Sequence, residues 1–267
     1  MPSISVIIPT HNRKQFLAEA VECVLRQTLT PSEIIIVDNG TDSEAEKSVW
    51  PEPIQYIRTI ANAGASQARN IGATIATSEY LAFLDDDDLW ENAYLEKAVS
   101  ALTVRPTDIL LARLDWLSES GCVSWRCPTK ETLTKGTFVV TNPGVTGSNI
   151  IVSRRHFFSL GGFNSRLRTG EDKALIIDSL DRDASIQVVP SMQAMHRAHD
   201  LSSLSRDEFD NGLRDFCECY AEKLTLTQKI YLQLKAKHYE HIKTGRHPVH
   251  SVLFRAVRKF ERIATKK

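Results

Sequence analysis

Short apolar runs alternate with helix-spaced apolar positions through the first hundred residues. Ile4-Ser-Val-Ile-Ile8 stays apolar and β-branched up to Pro9, and Glu33-Ile-Ile-Ile-Val37 does the same before the turn sequence Asp38-Asn-Gly40. Both read as strands buried on two faces. Between them Phe16, Leu17, Ala20, Val21, Val24 and Leu25 recur at the spacing of one helical stripe, predicting a helix over 13–28. Residues 54–58 form a third strand candidate, 65–77 are small and helix-favouring, and Tyr80-Leu-Ala-Phe-Leu84 is another buried strand. The order strand, helix, strand, strand, helix, strand predicts a mainly parallel α/β sheet with helices on both faces.

Past residue 101 the pattern weakens. Short strands are expected at 108–112, 122–125, 138–140, 149–152 and 186–189, separated by loops that carry Pro128, Pro143, Gly144 and Gly147. Helical spacing returns over 206–222, 227–243 and 248–264.

Composition narrows the class without deciding it. The 267 residues are 42% hydrophobic and 25% charged, ordinary for a globular chain, and the formal net charge of zero gives no overall pull toward nucleic acid. Charge is uneven, however: the stretch 243–267 carries eight Lys or Arg and one acidic residue, Glu261. Such a tail suits an anionic surface. Five cysteines without zinc-ribbon spacing read as reduced thiols, which places the chain in the cytoplasm. The first strand begins so near Met1 that no room is left for a signal peptide, and no apolar run approaches the length of a spanning helix. The expectation is a chain neither secreted nor membrane-spanning.

The chemistry concentrates behind the strand at 80–84, where Asp85, Asp86, Asp87 and Asp88 follow one another. Four adjacent carboxylates repel and resist burial, and a divalent cation resolves that conflict. Oxygen-only ligands favour Mg²⁺ or Mn²⁺ over zinc. Asp88-Leu-Trp-Glu91 also fits a helix-capping box, which explains one or two of the four. Two further strand ends finish in polar residues, Thr10-His-Asn-Arg13 and Asp38-Asn39, and ligands of open α/β sheets gather at the carboxyl ends of strands.

Taken in series, Val6-Ile-Ile-Pro-Thr-His-Asn-Arg13, Ile36-Val-Asp-Asn-Gly40, Asn62-Ala-Gly-Ala-Ser-Gln-Ala-Arg-Asn-Ile-Gly72 and Phe83-Leu-Asp-Asp-Asp-Asp88 resemble the family 2 glycosyltransferases, with Gly161-Gly-Phe-Asn164, Gly170-Glu-Asp172 and Arg197-Ala-His199 as later matches. The likeness covers residues 3–205. It implies a GT-A fold, a Rossmann-like, mainly parallel sheet flanked by helices, followed by a helical C-terminal extension. Residues 1–100 would be the nucleotide-sugar-binding half of that domain, 101–205 its acceptor-binding and catalytic half, and 206–267 the extension. It further implies inverting transfer of a sugar from a nucleotide-diphosphate donor, a UDP-sugar above all, to a hydroxyl of a cell-surface glycan or lipid-linked acceptor.

Carried onto this chain, Pro9, Thr10, His11 and Arg13 would lie against the base and ribose. Asp38 would accept from the base and Asn39 would lie beside it, with Asn62, Gly64 and Arg69 completing the nucleotide site. Asp85, Asp87 and Asp88 match the metal-and-ribose pattern, with Asp88 in direct contact with Mn²⁺ or Mg²⁺ and Asp86 at a variable position. His199 would reach the metal or the diphosphate, with His196 the weaker candidate. Asp172 would be the general base and Glu171 would orient the acceptor, although acids at a helix start also suit its dipole. The sequence departs from the family at Asn39, where a second aspartate is usual, and at Gly40-Thr-Asp-Ser43. Gly147-Ser148-Asn149 reads as a pocket segment or as a turn before a strand. The basic helix 248–264 suits docking on the domain, pairing with another subunit, or lying on an anionic leaflet. Two other readings stay open: a nucleotidyltransferase acting on a sugar phosphate, and a nucleotide-binding protein without catalysis.

Overall fold

The computed structural model describes residues 1–42, 50–118, 121–197 and 209–243, together with Val252, Arg255, Val257 and Lys259. The first half forms as its pattern predicts. Strands β1 (Ile4–Thr10), β2 (Glu33–Asp38), β3 (Ile54–Arg58) and β4 (Tyr80–Phe83) lie side by side in the order β3-β2-β1-β4, all parallel. Helices α1 (Lys14–Leu25) and α2 (Ala65–Ile75) make the crossovers. Leu17, Ala20, Val21 and Val24 bury one stripe of α1, the i, i+3, i+4, i+7 set that the sequence shows.

The sheet continues with β8 (Ile150–Ser153), β6 (Ile109–Ser118), β9 (Ile186–Arg197) and the two-residue β5 (Leu89–Trp90), while β7 (Gly121–Arg126) pairs only with β6. β4 and β6 are each antiparallel to β8, so β6 runs parallel to β4, and β9 runs parallel to β6. The carboxyl ends of β1, β2, β4, β6 and β9 therefore share one sheet edge. Alternate strand residues feed two cores. Val6, Ile8, Ile34, Ile36 and Leu110 face α1 and α3 (Tyr94–Val104), whereas Ile7, Ile35, Val37, Phe83 and Leu111 face α2 and the remaining helices.

Three expectations are corrected. Residues 138–140, expected as a strand, belong to helix α4 (Lys135–Val140), whose first turn is capped by Thr134 Oγ1 accepting from Thr137 N at 3.2 Å. Phe138, Val139 and Val140 are buried against helices, and a three-residue apolar run reads alike as strand or buried helix. Asp88 caps no helix: Leu89 and Trp90 pair antiparallel with Met195 and Ala194, and α3 starts only at Tyr94. Trp90 decides this, because its ring is buried and stacks on Tyr94 at 4.3 Å while its Nε1 donates to Ser148 O. β6 and β9 also run well past 112 and 189, since each supplies the other's ladder beyond the main sheet.

Helices α5 (Arg154–Leu160) and α6 (Glu171–Leu180) cover one face. In the extension, α7 (Phe209–Cys219) and α8 (Leu226–Lys243) pack Leu213, Phe216, Tyr231 and Leu232 into that same core. Of 248–264 only four residues are described. Val257 is buried in that core, while Arg255 and Lys259 are exposed. No described helix is long and apolar enough to cross a membrane.

Candidate active site

The polar strand ends meet at the shared edge. Thr10 Oγ1, at the end of β1, donates to Asp86 Oδ2 at 2.7 Å, and the Arg13 guanidinium reaches Asp86 at 3.3 Å and Asp87 at 2.5 Å. Asp86, expected at a variable position, is thus a structural anchor of the β1 loop. Burial and the neighbouring Asp87 charge push its carboxyl up to about 7, against the pull of Thr10 and Arg13. At the end of β2, Asp38 is 1% exposed and accepts from Gly40 N at 2.7 Å and from Tyr56 OH at 2.5 Å. Asn39 Nδ2 donates to Thr10 O, and His11 Nδ1 lies 3.0 Å from Asn39 O, so Thr10, His11, Asp38 and Asn39 form one wall above Pro9. Asn62 closes the floor, its N–H donating to Asn39 O, and Gly64 takes a left-handed φ of 85° to launch α2.

Arg69 joins the two halves. Only 3% exposed, it reaches Asp85 at 2.5 Å through Nη2 and Glu171 at 2.7 Å through Nη1. Those two carboxylates hold the guanidinium firmly charged against the cost of burial. Gly147 packs on it so closely that a Cβ there would lie 2.7 Å from Nη2. Arg69, expected to complete the nucleotide site, has carboxylates of the chain itself as its partners here.

Glu171 and Asp172 open α6, behind Gly170 in a left-handed conformation. Burial and the adjacent Glu171 charge push the Asp172 carboxyl up to about 7, offset in part by the Lys173 N–H and by Arg69. Lys173, whose Nζ lies 4.1 Å from the Phe216 ring centroid, is pushed down to about 7 by burial and by the Lys235 charge. The carboxylate thus has its protonation midpoint where a general base is effective.

Asp88 is fully buried. It accepts from Ser148 Oγ at 2.6 Å and from Arg197 N at 3.0 Å, and His196 Nδ1 lies 3.1 Å away. Burial alone would raise its pKa, but the His196 bond and charge, with Ser148 and Arg197, hold it below the usual range. The reciprocal interaction pushes His196 up to about 9 despite its own burial. Ser148 Oγ also accepts from Asp85 N at 3.0 Å, so one buried hydroxyl braces both ends of the acidic run. Ser148 and Tyr56 are the residues that sequence reasoning missed in these roles. Ser148 stood only within a segment read as a pocket or a turn, with nothing local to tie it to the aspartates, whereas His196 was visible as the weaker of two histidine candidates. His199 lies outside the described residues.

The donor set suits a hard, oxygen-loving cation. Among the described residues no three His, Cys, Asp or Glu side chains are placed to hold a metal ion by themselves. Asp85 and Asp87 keep 26% and 14% of their side chains exposed at the strand end. Mg²⁺ and Mn²⁺ commonly take one or two carboxylates and complete their shell with phosphate oxygens and water. Asp85 and Asp87 fit that pattern in residue type and position, with Arg69 and Arg13 as their partners in this structure.

The mostly parallel sheet flanked by helices is the GT-A fold. Solved structures of that class share the fold. S. aureus TarS 1-349 in complex with UDP-GlcNAc is 17% identical, with a TM-score of 0.63 over 90% of this chain and 72% of that one. GalNAc-T7 with UDP, GalNAc and Mn2+ is 18% identical, with a TM-score of 0.68 over 90% of this chain and 51% of that one. The family model "Glycosyl transferase family 2" matches residues 5–158, and the chain belongs to that family. An uncharacterized glycosyltransferase of Haemophilus influenzae is 27% identical over 66% of this chain and 62% of its own length. The uncharacterized glycosyltransferase YibD of Escherichia coli is 34% identical over 52% of this chain and 42% of its own. The chain thus spans about half the length of these curated relatives.

Proposed function

We propose that this chain is an inverting, metal-dependent glycosyltransferase that moves a sugar from a UDP-sugar to a hydroxyl of a cell-surface glycan or lipid-linked acceptor. The observation that carries the reading is Arg69. One buried guanidinium ties Asp85 of the acidic run to Glu171, next to Asp172, over a sequence separation of 102 residues between Arg69 and Glu171. That tie brings the acidic run close to the Glu171–Asp172 pair, and in this reading the first would meet the donor diphosphate while the second meets the acceptor, as displacement at an anomeric carbon needs.

In this reading Thr10, His11, Asp38 and Asn39 receive the base and ribose, and Asp38 offers its oxygens to the N3–H of uracil. Arg13 lies at the mouth of the acidic run, within reach of an entering diphosphate. Asp85, Asp87 and Asp88 would hold Mn²⁺ or Mg²⁺, with His199 as a further ligand. When bound, the cation supplies charge neutralisation to the departing diphosphate. Asp172 takes the proton from the acceptor hydroxyl as that oxygen bonds to the anomeric carbon and the bond to the β-phosphate oxygen breaks. Glu171, fixed by Arg69, orients the acceptor. The TarS and GalNAc-T7 structures, named for complexes with UDP-GlcNAc and with UDP, GalNAc and Mn2+, support the donor class. The basic stretch 248–267 would bring the enzyme to an anionic membrane surface. Flotation with anionic liposomes tests that, and equal flotation with 248–267 removed would rule it out.

Calorimetry with UDP, with and without Mn²⁺, followed by hydrolysis of several UDP-sugars, tests the whole reading. Metal-dependent UDP binding and turnover of at least one donor are expected. UDP binding indifferent to metal removal, or no UDP binding at all, overturns it.

A further inference from the structure

Beyond the acidic run, β6 and β9 continue side by side, with β7 on the free edge of β6 and the short β5 on that of β9. Trp116 on β6 is the register partner of His196 on β9 and of Val123 on β7, so the three side chains share one face. A register shift between Leu114 and Asp115 brings Trp125 beside them. The Trp116 and Trp125 rings meet edge to face at 4.8 Å, and His196 lies nearly parallel to Trp125 at 6.0 Å. The cluster is not core: Trp116 is 36% exposed, Trp125 41% and Val123 62%. It is also continuous with the acidic run, because His196 Nδ1 lies 3.1 Å from Asp88. The Arg126 guanidinium lies over the Trp125 ring, 4.5 Å from its centroid, and its Nη1 donates to Asn142 O, so guanidinium N–H groups border the cluster.

We propose that Trp116 and Trp125 form a saccharide platform that seats a neutral pyranose of the acceptor glycan. The proposal rests on the glycosyltransferase reading for the word acceptor, and on the aromatic cluster alone for the word saccharide. A pyranose has an apolar C–H face ringed by hydroxyls, which matches exposed aromatic surface rimmed by guanidinium N–H donors. The cluster is one hairpin wide, the scale of one or two sugar rings rather than of a protein interface. Its contact with Asp88 through His196 puts a seated ring next to the donor corner. The hairpin is thereby a specificity element, and Asp172 a separate catalytic one.

The test is tryptophan fluorescence of the full chain, titrated with cellobiose, chitobiose, lactose and maltose, with and without UDP and Mn²⁺. Saturable quenching or a blue shift with at least one disaccharide is expected. Trp116→Ala and Trp125→Ala should each weaken it about tenfold, the scale of losing one aromatic contact, whereas Trp116→Phe should stay within about threefold. Circular dichroism and melting confirm that each variant is folded. No saturable response to any disaccharide, or an unchanged response in both Ala variants, overturns the platform. Tryptophan-dependent binding to anionic phosphatidylglycerol vesicles in place of sugar overturns it too. If disaccharide binds but UDP does not, the platform stands and the donor reading falls. If UDP binds but no disaccharide does, the reverse holds.

Discussion

Replacing Arg69 by Met removes the cation that holds Asp85 and Glu171 together while keeping most of the side-chain volume. The two ion pairs, at 2.5 and 2.7 Å, are each worth about 6 kcal/mol at an effective dielectric of about 20 before desolvation is charged against them. The guanidinium and both carboxylates are largely withdrawn from water, so most of that gain offsets burial. The net loss expected on removing one partner of such a network is about 3–5 kcal/mol. The sign with pH follows from the carboxylates left behind. Without Arg69, Asp85, Glu171 and Asp172 crowd one corner, and Asp172, already raised by burial and by Glu171, loses a cation that holds it down. Stability is then retained at low pH and lost as pH rises, by up to about 1.4 kcal/mol per pH unit for each proton released. With Arg69 present Asp172 is already pushed up to about 7, so the loss beyond that of the wild type begins near pH 7 and grows above it. Urea unfolding followed by circular dichroism at pH 5.5 and pH 8 measures both quantities. A loss under about 1 kcal/mol at pH 8, or the same loss at both pH values, would refute the idea that Arg69 offsets a buried carboxylate cluster.

Three further outcomes are expected. Asp172→Asn should lower kcat by about 10²–10⁴ while UDP affinity by calorimetry stays within about threefold; the wild-type kcat should rise with pH through an acid limb near 7, since Asp172 must be deprotonated to accept a proton. Ser148→Ala strips an acceptor from the part-buried Asp85 N and a donor from the fully buried Asp88, and should cost about 1–3 kcal/mol in urea unfolding; no measurable change would show that Ser148 braces nothing. Gly147→Ala sets a methyl 2.7 Å from Arg69 Nη2 and should destabilise by about 1–3 kcal/mol, most of which should disappear in an Arg69→Met background if the clash is with that guanidinium.

Much of the first half was legible because its signals are local. Buried parallel strands need continuous apolar runs, and Ile4–Thr10 and Glu33–Asp38 have them. The helix stripe of α1 and the polar strand ends at Thr10, Asp38 and Asp85 follow from chain order and from the rule that parallel strands present their carboxyl ends together. The second half lacked that clarity. Phe138, Val139 and Val140 form a run too short to declare a period, and packing against α6 and α8 made it helical. Asp88 looked like a cap until Trp90 found a cavity beside Tyr94 and Ser148.

The amino-acid sequence by itself determined the alternation of strands and helices up to Phe83, the family, and the presence of a carboxylate run and a carboxylate pair able to do chemistry. Each of these depends on residues close along the chain, where periodicity and residue type suffice. Which carboxylate faces which cation was decided only by tertiary structure. Arg69 meets Asp85 and Glu171, Ser148 braces Asp85 and Asp88, and His196 takes Asp88 as its partner. Pairings across 16 to 108 residues are set by strand order and by the cost of leaving any buried charge alone, and neither is written in a local pattern.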